Sequence, residues 1–199
     1  MIITDKQGKV YHEERWTINE TFFNRRLMTG SDFLKPAKLA MYDREIHPKA
    51  GTNFAEVKAR VNYLLNSYEV DIVAAYNVAF DFRALSATCS TYLGTTEFFQ
   101  QERPILCLWN MACDTIMQQK TFIRQARKYG WLTESGKNIS TNAETAYRYL
   151  SNQPDYIEPH TALEDCRIEV AIMAYCFRQR KATAYGVKHG CWRKVQKTA

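Results

Sequence analysis

The run Val70-Asp71-Ile72-Val73-Ala74-Ala75-Tyr76 constrains the fold of this chain more than any other stretch. It is short and mostly apolar, the pattern of a strand covered on both faces in a largely parallel sheet, and such a strand needs helices over it. Helical patterns stand on either side. Upstream, Asn53 with Glu56 resembles a capping box, and Phe54, Val57, Val61, Leu64, Leu65 and Tyr68 follow at helical spacing. Downstream, Asn77 can cap a helix that runs through Phe80-Asp81-Phe82-Arg83-Ala84-Leu85 to Gly94. Strands first and helices interleaved afterwards put the chain in the α/β class.

The remaining segments fit around that frame. Ile2-Ile3-Thr4, a turn at Asp5-Lys6-Gln7-Gly8, and Lys9-Val10-Tyr11 through Trp16-Thr17-Ile18 read as a hairpin whose first strand is cut short. Residues 20–50 lack a clean period, and Gly30, Pro36, Pro48 and Gly51 punctuate them as loop and short helix. A further helix is predicted from about Leu106 to Tyr129, stopped by Gly130, with a polar loop to Asn142. Thr141 with Glu144 caps a short helix from Ala143 to Leu150. Pro154 and Pro159 then break the chain before a last helix from Thr161 to about Arg178, opened by a second capping box, Thr161 with Glu164.

At 199 residues the chain suits one good-sized domain, taken as residues 1–178, with a basic tail over 179–199. The hydrophobic fraction of 46% is too high for a disordered chain. No apolar run reaches the roughly 20 residues that span a bilayer, and Met1-Ile2-Ile3-Thr4-Asp5 lacks the basic start of a signal peptide, so a cytosolic protein without a membrane partner is expected. Cys89, Cys107, Cys113, Cys166, Cys176 and Cys191 form no C-x-x-C pair and read as reduced structural thiols. The net charge of +6 suits a polyanion, and the excess gathers in the tail. From Arg178 onward the chain carries Arg178, Arg180, Lys181, Lys188, Arg193, Lys194 and Lys197 without an acid. The interleaved Tyr185, His189 and Trp192 either stack on bases or dock the tail on the domain.

Two stretches put an acid at the same place relative to a helix start. With Asn77 as N-cap, Asp81 is the fourth helical residue. With Thr161 as N-cap, so is Asp165, and His160 precedes the cap. Side chains at those last two positions meet in the hydrophobic staple, which predicts His160 beside Asp165. A carboxylate next to a titratable imidazole is what metal-assisted hydrolysis needs: the acid holds the ion and the neutral imidazole takes a proton from water. Blander accounts compete, since a buried Asp at a helix start commonly just bonds backbone N–H groups. Glu164 is most simply a capping residue and Asn77 a structural one. Phe80 and Phe82 read as core and cleft wall, and Trp109, Trp131 and Tyr147 as core.

The strings Ala75-Tyr76-Asn77-Val78-Ala79-Phe80-Asp81 and His160-Thr161-Ala162-Leu163-Glu164-Asp165-Cys166-Arg167 resemble the second and third motifs of the DEDDh 3′-5′ exonucleases, the superfamily of RNase T and DNA polymerase proofreading subunits. Those motifs are N-x-x-F-D after a strand and H-x-A-x-x-D opening a helix. The resemblance covers roughly residues 1–178 and implies an RNase H-like fold, a mixed sheet flanked by helices. It implies two Mg²⁺ or Mn²⁺ ions held by four acids, with Asp81 and Asp165 among those acids and His160 as the base that activates water. It also implies single-stranded DNA or RNA as substrate, and a polymerase or a second copy of the chain as partner. The chain departs from the family at its first motif, D-x-E on the first strand. Its D-x-E, Asp43-Arg44-Glu45, is too close to Asn77 to leave room for the intervening elements and reads as a solvated pair. The N-terminal strand is therefore expected to be missing, leaving a gap with unpaired backbone groups. Two carboxylates do not replace four around Mg²⁺, so weak turnover is expected, or a catalytically dead domain that binds nucleic acid or a polymerase.

Overall fold

The computed structural model describes residues 1–24, 26, 51–181, 185, 186 and 190–198. The elements begin with β1 (Ile2–Thr4), β2 (Val10–Glu13), β3 (Thr17–Ile18), α1 (Asn19–Phe22), β4 (Gly51–Thr52), α2 (Phe54–Ser67), β5 (Val73–Ala75) and α3 (Val78–Leu93). They continue with β6 (Ile105–Cys107), α4 (Leu108–Asp114), a 3-10 turn over Ile116–Gln118, α5 (Lys120–Tyr129), α6 (Ala143–Ser151), α7 (Ala162–Arg178) and α8 (Trp192–Thr198). The chain is mixed α/β and divides into two compact units. One comprises Met1–Glu14, Asp71–Ala84 and Arg103–Ala199, the other Arg15–Val70 and Leu85–Glu102.

The first unit carries β1 and β2 as an antiparallel hairpin and β5 and β6 as a parallel pair, in separate ladders. Asp5 makes the hairpin turn: its Oδ1 accepts from the backbone N–H of Gln7 at 2.9 Å and of Lys9 at 3.0 Å. Gly8 completes it at φ 88°, and a Cβ there would stand 3.1 Å from the Cβ of Ala174 on α7, so the turn lies tight against that helix. The core of this unit is helical. Ile116, Met117, Phe122, Ala126 and Ala146 are fully enclosed, and Ile168, Ile172 and Cys176 of α7 pack among them. Trp131 belongs to the same core, with Trp109 and Tyr147 packed against it, as their place in the sequence suggests. Cys191 and Val195 are buried there too, which docks that part of the basic tail.

In the second unit, α2 starts as the sequence predicts, with Asn53 Oδ1 accepting from Glu56 N–H at 2.8 Å. The Glu20 carboxylate accepts from Phe54 N–H at 3.0 Å and satisfies a second donor of that first turn. Phe54, Val57, Val61, Leu64 and Leu65 are buried on one face of α2. Asn62 is buried among them at no cost in unmade bonds, because it donates to Phe98 O and accepts from Gln100 N–H.

Several expectations need correction. The second strand does not run on to Ile18. β2 ends at Glu13, and β3 pairs in parallel with β4. The helix expected over Leu106–Tyr129 is broken in three. Ile105, Leu106 and Cys107 pair with Val73, Ala74 and Ala75, a partner too far away in sequence for local periodicity to reveal. At Thr115 the backbone leaves the helical region (φ −123°, ψ −77°), and its hydroxyl bonds Met111 O at 2.6 Å, competing with the helical ladder. Gly130 does stop α5, at φ 68°. The cap of α6 is Asn142, one residue later than read, and Thr141 instead accepts from Trp109 Nε1 at 3.0 Å. Phe80 is 49% exposed and so is not core. The pair Asp43 and Glu45 lies outside the described residues.

The corrected cap is testable. Asn142→Ala removes the acceptor for Thr145 N–H, held at 2.9 Å, and is expected to lower stability by about 1 kcal/mol in urea denaturation. Asn142→Asp, which keeps the acceptor, should cost little.

Candidate active site

The two helix starts singled out by the sequence carry their acids as expected: Asp81 lies in the first turn of α3 and Asp165 in the first turn of α7. Each is only partly exposed. Burial pushes the Asp81 carboxyl above its usual range, opposed by a bond from its own backbone N–H. Asp165 N–H closes the first α7 turn onto Thr161 O at 2.9 Å, and Asp165 Oδ1 is shielded from solvent.

A third acid belongs with them that the motif reading passed over. Glu169 stands one helical turn after Asp165, on the same side of α7. Desolvation pushes its carboxyl up to about 7. The backbone N–H of Tyr76 at the end of β5 pulls the other way, while Asp81, Asp165 and Glu158 raise it further by repulsion. Asp81, Asp165 and Glu158 thus belong to the electrostatic surroundings of Glu169. Tyr156 stands close by: burial raises its hydroxyl pKa first, then the charges of Tyr147, Glu158, Glu164 and Asp165.

His160 sits just ahead of α7 with its backbone in the left-handed region at φ 55°. Its Nδ1 is 3.7 Å from Glu158 Oε2, close enough for an ionic contact and too long for a hydrogen bond. Glu144, Glu158 and His160 offer ligand atoms within 4.8 Å of one another. Glu144 is already committed there as a clamp. Its Oε1 pairs with Arg148 at 2.7 Å, and its Oε2 accepts from Glu158 N–H at 2.8 Å. Arg148 Nε in turn donates to Tyr156 O at 2.7 Å. Helix α6 therefore pins the segment that carries Tyr156, Glu158 and His160. Glu164, read as a capping residue, pairs with Arg167 instead, and Thr161 makes no side-chain cap bond.

Asp81, Asp165 and Glu169 offer oxygen donors, the kind a hard divalent cation such as Mg²⁺ or Mn²⁺ takes, though their ligand atoms do not all lie within 4.8 Å of one another as those of Glu144, Glu158 and His160 do. Desolvation lifts Glu169 most, and the repulsion that adds to it is the kind of negative excess such an ion relieves. A D-x-x-x-E spacing on the helix that follows the H-x-A-x-x-D string is the sequence signal that points to Glu169.

The raised carboxyl has a pH signature. Between the ordinary Glu range and about 7, folded Glu169 holds a proton that the unfolded chain has released, so stability is highest at low pH and is lost as pH rises through about 7. Without divalent metal, the melting temperature should fall from pH 5 to pH 8, and Glu169→Gln should flatten that fall. A variant profile that parallels the wild type would assign the titration to another group. No family model, curated protein or solved structure matches the chain.

Proposed function

We propose that this chain is a metal-dependent phosphodiesterase that shortens single-stranded nucleic acid from its 3′ end. The observation that carries the reading is the raised Glu169 carboxyl, desolvated and repelled by Asp81, Asp165 and Glu158, with His160 Nδ1 3.7 Å from the Glu158 carboxylate. The resemblance of the two motif strings to DEDDh exonucleases supplies the reaction class. Asp81, Asp165 and Glu169 are the residues that would hold Mg²⁺ or Mn²⁺. Glu169 takes up part of the role that the absent D-x-E acids have in that family. When bound, the ion would polarise the phosphoryl oxygen and make its water more acidic. His160 accepts the proton of the attacking water, and the Glu158 carboxylate, 3.7 Å from Nδ1, stabilises the imidazolium that results. The Arg148 and Glu144 clamp holds both residues in place, which spares the reaction the entropy of ordering a loop. Phe80, half exposed next to Asp81, offers a wall against the terminal base.

A second reading is a domain of the same kind that binds nucleic acid without turnover. It is favoured by the chain's single D-x-E, Asp43-Arg44-Glu45, whose position in the sequence does not fit the family's first strand.

Degradation of a 5′-labelled single-stranded oligonucleotide in Mn²⁺ separates the two. The expected result is a ladder shortening from the 3′ end, reduced at least a hundredfold in Asp165→Ala, Glu169→Gln and His160→Ala. Thermal shifts distinguish the roles: Mn²⁺ should stabilise the wild type and His160→Ala but not Asp165→Ala. A folded wild type that yields no ladder and no Mn²⁺ shift would leave the binding reading.

A further inference from the structure

Helix α5, Lys120–Tyr129, buries Phe122, Ile123 and Ala126 and turns Lys120, Arg124, Arg127 and Lys128 outward. The chain has no acidic residue between Asp114 and Glu134. Spacings of four and three residues bring Lys120, Arg124 and Arg127 onto one stripe about 10 Å long. With Ile123 they line a single open depression of about 310 Å³.

A basic helix face is most often only a solvated surface, so the local pattern of neutralisation matters. Elsewhere in this unit some cations are matched, Arg148 by Glu144, Arg167 by Glu13 and Glu164, and Lys194 by Asp114, while Lys6, Lys9 and Lys137 are scattered singly rather than gathered on one face. Among the described residues, no carboxylate pairs with Lys120, Arg124 or Arg127. A helix evolved for solubility alone would intersperse acids at four-residue spacing, and α5 has none. At its C-terminal end the stripe meets an aromatic face. Tyr129 is 43% exposed and stacks on Trp131 at 5.5 Å and 25°, with the Lys128 ammonium 4.9 Å from the Tyr129 ring centre. Cations in line with an exposed, stacked aromatic ring match a strand of phosphates that carries unpaired bases, because every base has a face to stack.

The stripe is also rigidly mounted. The Tyr149 hydroxyl on α6 meets Thr121 at 2.5 Å and Gln119 Oε1 at 2.7 Å, and its ring packs edge-on against Phe122 at 5.4 Å. The same α6 carries Glu144, which clamps the Glu158 and His160 segment at its other end. One short helix thus connects the basic stripe to the acid group.

We propose that Lys120, Arg124 and Arg127, with Tyr129 at their end, form a track that binds the phosphodiester backbone of a single strand and holds the body of the strand whose 3′ end enters the acid site. Entry of the strand's 3′ end into the acid site rests on the proposed function; binding along the track does not.

Fluorescence anisotropy of a labelled single-stranded 12-mer in EDTA tests binding apart from turnover. In the variant Lys120→Gln/Arg124→Gln/Arg127→Gln, affinity at low salt should fall at least thirtyfold. The slope of log K against log salt should shrink by about 2, since three phosphate contacts on a single strand contribute roughly 0.7 each. Tyr129→Ala should weaken binding about tenfold with the slope unchanged. The charge-matched control Lys6→Gln/Lys9→Gln/Lys137→Gln, exposed positions on other elements, should change affinity less than threefold. Equal losses in the control and the track variant would overturn the proposal, as would an unaltered slope in the track variant or a wild type that binds anionic vesicles but not the oligonucleotide. Cleavage in Mn²⁺ keeps the two readings apart. Binding through the track without cleavage would sink the exonuclease alone, and cleavage whose KM is unmoved in the track variant would sink the track alone.

Discussion

Ile168, Ile172 and Cys176 recur every four residues along α7 and are buried, and the same repeat sets Asp165 and Glu169 one turn apart on an adjoining stripe. Core and acid group thus depend on one helical register. Truncating either isoleucine to Ala would cost roughly 2–5 kcal/mol and release the helix that holds both acids. The hairpin is tied to this helix as well, through the close approach of Gly8 to Ala174 and through Glu13, whose carboxylate meets Arg167 at 2.6 Å.

Because α7 is seated by its apolar stripe, the carboxylates have little freedom to move apart. Desolvation and repulsion then act on Glu169 together, and only the Tyr76 amide offsets them. This arrangement works against stability at neutral pH, where a buried carboxylate is costly. An apolar side chain at position 169 would avoid the carboxylate's desolvation but would take the acceptor from the Tyr76 N–H. Such strain concentrated at one place is more typical of a site that works on a ligand than of one that only supports a fold.

The helices were legible wherever their signals are local. Asn53 caps α2 as its spacing with Glu56 predicts, α3 runs to Gly94, and Gly130 ends α5, because caps and left-handed stops are decided within a few residues. The reading failed where the deciding contact is distant. Leu106 and Cys107 look helical by period, yet they form a strand because Ala74 and Ala75 lie beside them. Thr141 looks like a cap, yet its hydroxyl is taken by Trp109 and its carbonyl by Tyr76, and Asn142 caps in its place.

The candidate site divides in the same way. From the sequence alone come Asp81, Asp165 and His160, because each belongs to a string tied to a helix start, and local backbone geometry aims a side chain at a helix start. Tertiary structure alone decided that Glu169 and Glu158 join them and that Glu144 and Arg148 clamp the segment between. Whether a carboxylate is desolvated, and which charges it feels, depends on what other elements bring within a few ångströms, and sequence spacing holds no record of that distance.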